Sequence, residues 1–359
     1  MKTMCLLVAA TGWLVGGCSS SESPWVDRTA GTPASSQLWT GLASDSTGAN
    51  LVAICESGVQ GRFSGGIWTS TDSGATWTNR TAGTPASGQD WLSVASDSTG
   101  AHLVAVAGST AADTQSVWTS ADSGATWSNR LTTTYTGNLA VGPAVASDAT
   151  GSHLVLTDGD VWTSADSGAT WTDQTKGSSA APQDWVDVES DSTGAHLVAI
   201  TAYSDIWTSS DSGATWTNRT EGTAASGSDW NAAASDSTGT HLVAVAEAGD
   251  IWTSVDSGAT WTNRTAGTSA SGLDWSTVAS DATGVHLVAA SSGDDRRDIW
   301  TSSDSGATWT DQTANALASG NNWGVVASDA TGAHLVAAAD EPRLAGGATP
   351  ILGGDIWTN

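Results

Sequence analysis

Two acidic residues, Asp187 and Glu189, have the types and the spacing that best suit a catalytic role. They lie in the segment Trp185-Val-Asp-Val-Glu-Ser, where residues alternate as they do in a β-strand. Residues two apart on a strand point to the same side. Two carboxyl groups facing one space are the machinery of glycoside hydrolysis, so both residues are candidates for catalysis. The alternative is a solvated substitution without a chemical role.

The spacing of the histidines and acids does not indicate a metal-binding site. A metal site needs several ligands that converge on one point, whereas the six histidines share one position of a long repeat and would be spread around the fold. No Asp-x-Asp-x-Asp-Gly calcium loop is present. We therefore expect no metal and no cofactor. The six histidines are residues 102, 153, 196, 241, 286 and 334.

The elements that must position Asp187 and Glu189 are set by an internal repeat. One segment, typified by Trp91-Leu-Ser-Val-Ala-Ser-Asp97-Ser-Thr-Gly, has close copies with Asp at 45, 148, 191, 236, 281 and 329. The copies are 43 to 52 residues apart, a length that fits a four-stranded propeller blade. Each copy combines alternating strands with Asp- and Gly-containing turns, and no segment beyond residue 17 has a helical apolar period.

A second recurring segment follows the pattern Ser-x-Asp-x-Gly-x-x-Trp, as in Ser70, Asp72, Gly74 and Trp77. It resembles the Asp-box, the bacterial neuraminidase repeat of sialidase-like propellers. The resemblance implies a turn between the third and fourth strands of each blade, with structural roles for six aspartates. It implies a fold rather than a function, because such boxes occur in sialidases, other glycosidases, sorting receptors and photosystem assembly factors. The aspartates are Asp72, Asp122, Asp166, Asp211, Asp256 and Asp304.

The two ends of the repeat region complement each other. The chain finishes with Asp355-Ile-Trp-Thr-Asn, a third strand without its box, while Trp25-Val-Asp-Arg-Thr-Ala-Gly matches the fourth strand that begins at Trp77. An N-terminal strand that completes the last blade would close the ring and remove open sheet edges. We therefore predict an all-β fold for residues 25–359. It is a seven-bladed β-propeller of four-stranded antiparallel blades, closed by the N-terminal strand.

Residues 1–17 have the features of a bacterial lipoprotein signal peptide. Lys2 precedes a short apolar stretch, and Val15-Gly-Gly-Cys18 resembles a lipobox. We expect Cys18 to be lipidated and residues 18–24 to form a short tether, with the protein anchored in the bacterial cell envelope, in the outer membrane. Two acyl chains give a stable membrane anchor. The alternative is an ordinary secretory signal that happens to end near a cysteine.

Charge and cysteine content exclude several other classes. The net charge of −26 is unsuited to nucleic acid, because phosphate binding requires a basic surface. Removal of the signal peptide and lipidation of Cys18 would leave Cys55 as the single free thiol, so no intramolecular disulfide is expected. A soluble, monomeric domain stabilised by packing is the expectation, and 21 tryptophans argue against disorder.

Departures from the repeat indicate where a partner could bind. Arg62, Phe63, Arg296, Arg297 and Arg343 lie in variable loops between second and third strands of blades that would neighbour each other in a closed ring. A basic patch on an acidic protein could dock an acidic partner. The alternative is neutral drift in tolerant loops.

These patterns favour a non-catalytic, envelope-anchored binding or scaffold propeller with a protein or glycan partner. The alternative is a sialidase-like glycoside hydrolase acting on extracellular glycans. Against that alternative, the Phe/Tyr-Arg-Ile-Pro signature and an arginine triad are not identifiable. Tyr135 and Tyr203, the two tyrosines, lack an identifiable glutamate partner for a nucleophile pair.

Overall fold

The protein is a closed ring of seven β-sheets. Every regular element in the described ranges is a strand, and each sheet contains four antiparallel strands. The described part of the chain contains no helix long and apolar enough to cross a bilayer. The predicted seven-bladed propeller is confirmed. The computed structural model describes residues 25–57, 65–109, 114–134, 142–178, 180, 183–293, 297–314, 318–339 and 353–359.

The strands of each blade are numbered one to four from the central channel outward. The first strands are β2 (Trp39–Ser44), β6 (Asp90–Ser96), β10 (Ala144–Ser147), β14 (Trp185–Ser190), β18 (Trp230–Ser235), β22 (Asp274–Ser280) and β26 (Trp323–Ser328). The second strands are β3 (Leu51–Cys55), β7 (Leu103–Ser109), β11 (Leu154–Asp158), β15 (Leu197–Thr201), β19 (Leu242–Ala246), β23 (Leu287–Ser292) and β27 (Leu335–Ala339). The third strands are β4 (Gly66–Ser70), β8 (Thr114–Ser120), β12 (Asp160–Ser164), β16 (Ile206–Ser209), β20 (Ile251–Ser254), β24 (Ile299–Ser302) and β28 (Ile356–Thr358). The fourth strands are β5 (Thr78–Asn79), β9 (Ser128–Thr134), β13 (Thr172–Asp173), β17 (Thr217–Asn218), β21 (Thr262–Asn263), β25 (Thr310–Asp311) and, completing the seventh blade, β1 (Val26–Asp27).

The ring closes where the first strand of the chain joins the last blade, as the sequence predicts. The seventh sheet has the order β1-β28-β27-β26. Val26 pairs with Thr358 and Asp27 with Trp357. The amide of Ile356 also donates to Oγ1 of Thr29, at 2.9 Å. Closure leaves each sheet with its faces packed against two neighbouring blades.

The core lies between the blades and is built around tryptophan. The first-strand residues Trp91, Trp230, Trp275 and Trp323 are fully buried. The indole of Trp275 meets that of Trp300 from the third strand edge to face, with centroids 6.2 Å apart. A fully buried tryptophan contributes about 4–6 kcal/mol of gross burial free energy. Tryptophan thus supplies the largest side chains of the core, and the regular placement predicts their burial.

Two kinds of turn repeat on one face of the ring, which we call the turn face. In the first-to-second-strand turn, Asp97 accepts hydrogen bonds from the amides of Thr99 and Ala101 at 3.1 and 3.0 Å. In the third-to-fourth-strand turn, Asp72 accepts from the amide and hydroxyl of Thr76 at 2.8 and 2.7 Å. Both aspartates cap their turns as predicted.

The opposite face, which we call the loop face, carries the connections between second and third strands. Two of the longer connections begin and end with paired residues. Cys55 pairs with Gly66 as part of the sheet, so the blade 1 connection is residues 56–65. In blade 2, Gly108 pairs with Gln115 and Ser109 with Thr114. These pairs lengthen the hairpin of β7 and β8.

Candidate functional site

A central channel with a volume of about 730 Å³ runs through the ring and holds both predicted catalytic candidates. The first strands of the blades form its wall, and most of the side chains are small or apolar. Asp187 and Glu189, both on β14, line the channel together, which confirms that they share one side of their strand. No Lys or Arg is present in the described lining. The channel is therefore unsuited to an anionic ligand.

Asp187 occupies a repeat position that links one blade to the next. At the same position, Oγ of Ser93 accepts a hydrogen bond from the amide of Val145 in the following blade, at 3.1 Å. Oδ2 of Asp187 likewise accepts from the amide of Ala233, at 2.9 Å. The structural function of Asp187 is therefore to satisfy a backbone amide at the inner edge of the neighbouring sheet.

The second oxygen of Asp187 is also occupied. Oδ1 accepts from the amide of Val188 at 2.9 Å. Burial raises the pKa of Asp187 to about 7, although the hydrogen bonds from Ala233 and Val188 oppose this. Asp187 is partly accessible from the channel, but the surrounding protein desolvates its carboxyl group, which disfavours the charged form.

Glu189 breaks the repeat more sharply than Asp187 does. Its backbone pairs with Val198 in the sheet, but within the described chain its carboxyl group makes no hydrogen bond. Burial raises the pKa of Glu189 well above its ordinary value, and the nearby charge of Asp187 raises it further. The six other blades carry alanine at this position, at residues 43, 95, 146, 234, 279 and 327.

The two carboxyl groups are poorly arranged for hydrolysis. Glycosidases place their two carboxyl groups on either side of the scissile bond, whereas Asp187 and Glu189 leave the same strand on one wall. The backbone amides already hold Asp187 in a fixed orientation. Glu56 is the other acid in the described lining. Burial raises the pKa of Glu56, and the charge of Asp90 raises it further.

One of the two tyrosines is an exposed aromatic residue on the loop face, a placement that the sequence did not predict. Tyr203 lies in the connection between β15 and β16 and is 75% exposed, with a positive φ of 53°. The negative charge of Asp229 and its hydrogen bond to the phenol raise the pKa of Tyr203, as does the charge of Glu247. Tyr203 belongs to no motif, and the only sequence feature that could have pointed to it is the rarity of tyrosine in this chain.

Asp229 and Glu247 act on this tyrosine, and further acids lie on the same face. Aspartate precedes the first-strand tryptophan in four blades, at Asp90, Asp184, Asp229 and Asp274. Glu247 joins them, because its amide donates to the carbonyl of Asp229 at 2.8 Å. We call Tyr203, these four aspartates and Glu247 the acidic rim. Its charge is opposite to that of the predicted basic patch.

Much of the predicted basic patch lies outside the described residues, namely Arg62, Phe63, Arg296 and Arg343. The predicted lipidation site Cys18 lies outside them as well. Arg297 is described, and its Nε donates to the carbonyl of Gly293. The described residues therefore do not test whether the predicted patch forms, and it stays a prediction.

The histidines and box aspartates lie on the turn face, away from the acidic rim. Each histidine places Nδ1 at 2.7–2.9 Å from a first-turn aspartate of its own blade. Burial alone would raise the pKa of Asp97, but hydrogen bonds from His102 and Thr99 lower it below its usual value. No group of three or more His, Cys, Asp or Glu side chains is placed to hold a metal within the described ranges.

Comparisons with known proteins agree on the fold. A GH74 enzyme from Niastella koreensis is 16% identical, with a TM-score of 0.65 over 88% of this chain and 52% of that one. The GH74 xyloglucanase from Xanthomonas campestris is 20% identical, with a TM-score of 0.64 over 92% and 55%. YCF48 bound to D1 peptide is 14% identical, with a TM-score of 0.62 over 93% and 96%.

At these identities the likeness is one of fold. The chain spans about half the length of the two GH74 proteins. No protein-family model matches the sequence, and no curated protein matches it significantly.

Proposed function

We propose that this protein is a non-catalytic binding propeller of the bacterial cell envelope, anchored through a lipid on Cys18, that binds a protein partner on its loop face. The observation that carries the proposal is the unequal variation of the two faces. Connections between second and third strands range from the single residue Gly159 to residues 340–355. The turns of the opposite face repeat the same hydrogen bonds. Variable loops on a rigid scaffold are the usual location of binding residues.

The chemistry of the acidic rim indicates the kind of partner. An exposed tyrosine offers a large, rigid contact area, and tyrosine is enriched among residues that dominate binding energy. The surrounding carboxylates complement a surface rich in Lys and Arg. A basic segment of a protein is therefore the partner that fits best. YCF48, a fold neighbour of similar length, was solved with a peptide bound.

The proposal is tested by capture from envelope extract with the purified protein, followed by mass spectrometry. We expect one protein to be captured by the wild type and by Val255→Ala, an exposed residue on the turn face. Tyr203→Ala should lose it, and high ionic strength should elute it because salt screens exposed charges. Capture that is indifferent to Tyr203→Ala, or lost equally with Val255→Ala, would rule out the acidic rim.

The anchoring part of the proposal has its own test. Cys18→Ala removes the thiol that would carry the lipid, so the protein should move from the membrane fraction to the soluble fraction. Ser19→Ala serves as the control and should stay with the membrane. Equal distribution of the two variants would contradict lipid anchoring.

Glycoside hydrolysis is the second candidate, favoured by two channel carboxyl groups whose pKa values are both raised. A carboxyl group that titrates near neutral pH can act as a general acid. Release of reducing sugar from xyloglucan would support this candidate if it fell by about a hundredfold or more in Glu189→Gln. Equal release by the wild type and the variant would exclude a role for this pair.

A further inference from the structure

A niche between neighbouring blades recurs around the turn face, and an arginine normally fills it. In five places an arginine in or just after the fourth strand donates from Nε to Oγ1 of a third-strand threonine, at 2.6–2.8 Å. Its side chain lies over the box glycine of the next blade: a Cβ on Gly258 would stand 3.6 Å from Cγ of Arg219. The guanidinium group therefore caps the junction between two blades. The five residues are Arg28, Arg80, Arg130, Arg219 and Arg264.

Blade 3 is the exception among the blades that precede a box. Gln174 takes the place of the arginine, and its Nε2 donates to Oγ1 of Thr163 at 2.7 Å. Glutamine reaches Nε2 through as many bonds as arginine needs to reach Nε. Gln174 thus reproduces the threonine bond but lacks the Cζ and the two terminal nitrogens of a guanidinium group.

The missing atoms leave a crevice between blades 3 and 4. Its volume is about 190 Å³, and its walls include Gln174, His153, Ser164 and Asp211. The equivalent niche that contains Arg219 has a volume of about 30 Å³. Two further equivalents, between blades 1 and 2 and between blades 5 and 6, hold about 10 Å³ each. A single substitution in the repeat therefore opens a space that is nearly filled elsewhere.

The crevice is also chemically suited to a cation. Burial alone would raise the pKa of Asp211, but hydrogen bonds from Thr215 and Ser209 lower it, so the carboxylate stays charged. Its Oδ2 accepts one hydrogen bond, from the hydroxyl of Thr215 at 2.6 Å, and a carboxylate oxygen can accept another. No Lys or Arg is present among the described residues of the wall.

We propose that this crevice binds a guanidinium group supplied from outside the chain. The group would occupy the space that Gln174 leaves open, with the Asp211 carboxylate on its wall. Guanidinium suits the site because it is planar, permanently charged and weakly hydrated. This site lies on the turn face and is independent of the acidic rim.

The test compares methylguanidinium with methylurea, which has the same shape without the charge. Saturable chemical-shift changes should appear with methylguanidinium, and methylurea should bind at least about tenfold more weakly. Gln174→Arg introduces the residue found in blades 1, 2, 4, 5 and 7, so it should fold and abolish the binding. Arg219→Gln should create a second site and raise the stoichiometry from one to two.

One further arm identifies the source of the guanidinium group. Acetyl-Gly-Arg-Gly-amide represents an arginine side chain of a protein: binding as tight as that of methylguanidinium points to a protein as the source, and weaker binding points to a small molecule. Unchanged binding in Gln174→Arg, or equal binding of methylurea, would overturn the proposal.

Discussion

The turn face and the channel wall differ in how they use the same repeat. On the turn face, six blades repeat the aspartate–histidine contact, and Asn50 replaces the histidine in the first by donating to Asp45 at 2.7 Å. On the channel wall, the inter-blade acceptor is Ser93 in one blade, Asp187 in another and Thr277 in a third. Uniform contacts serve stability, and departures from uniformity locate the chemistry that a function could use.

The largest effect should come from breaking a turn-face contact. Asp236→Ala leaves the amides of Thr238 and Thr240 and Nδ1 of His241 without their acceptor. We expect a loss of about 3 kcal/mol in the free energy of unfolding, measured with urea at neutral pH. Asp184→Ala, on the loop face, should change it by less than about 0.5 kcal/mol.

Low pH should remove the difference in unfolding free energy between the wild type and Asp236→Ala. Burial alone would raise the pKa of Asp236, but hydrogen bonds from His241 and Thr238 lower it. Its stabilising effect is therefore present above the unfolded-state value and is lost as pH falls through the folded-state value. A deficit in Asp236→Ala that stayed constant into acid would contradict this account.

A channel substitution should have the opposite sign. Glu189→Ala restores the residue found in the other blades, and we expect a gain of about 1–2 kcal/mol at neutral pH. Because the folded-state pKa of Glu189 is raised, its contribution is full below the unfolded-state value and is lost as pH rises. The gain should therefore grow from acid to neutral pH in urea unfolding. Glu221→Ala, on the exposed surface, should show no such trend.

A smaller effect should distinguish two blades of the same ring. In blade 5, Nδ2 of Asn263 donates to Oδ2 of Asp250 at 2.7 Å. In blade 6, the equivalent pair is Asp311 and Asp298. The amide of Thr313 donates a hydrogen bond to Asp311 and its hydroxyl donates one to Asp298, both at 2.9 Å. Burial raises the pKa of Asp311, and the charge of Asp298 raises it further.

Exchanging these residues should therefore change stability in opposite directions. Asp311→Asn should gain about 1 kcal/mol at neutral pH, and Asn263→Asp should lose a similar amount. The gain should vanish in acid, where Asp311 is protonated in both states. Thermal unfolding of each variant at neutral and at acid pH measures these stability changes. Changes of the same sign in Asp311→Asn and Asn263→Asp would contradict the expected difference between blades 5 and 6.

The smallest effect is expected where the ring already contains the variant. His241→Asn recreates the pair that Asn50 and Asp45 form in blade 1. The unfolding free energy should change by less than about 0.5 kcal/mol. A loss approaching that of Asp236→Ala would show that the imidazole, and not the hydrogen bond, stabilises the turn.

Repetition determined how much could be predicted from the sequence. The box turns, the tryptophan core and the pairing of β1 with β28 follow from patterns present in many copies. The inter-blade role of Asp187 could not be predicted, because it depends on how β14 lies against β18. Tyr203 has no tyrosine at the equivalent position of another blade and belongs to no motif, so its exposure became evident only in the folded chain.

The seam between β1 and β28 has a consequence for folding kinetics. Arg28 and Thr358, which hydrogen-bond across it, are 330 positions apart. During synthesis β1 is made before the other strands, and it cannot pair with β28 until all the intervening blades have been made. Contacts of such long range form slowly, because loop-closure entropy must be overcome first. Until the seam forms, β28 presents an unpaired edge that can join another chain, so the interval before closure is the period of greatest exposure to aggregation.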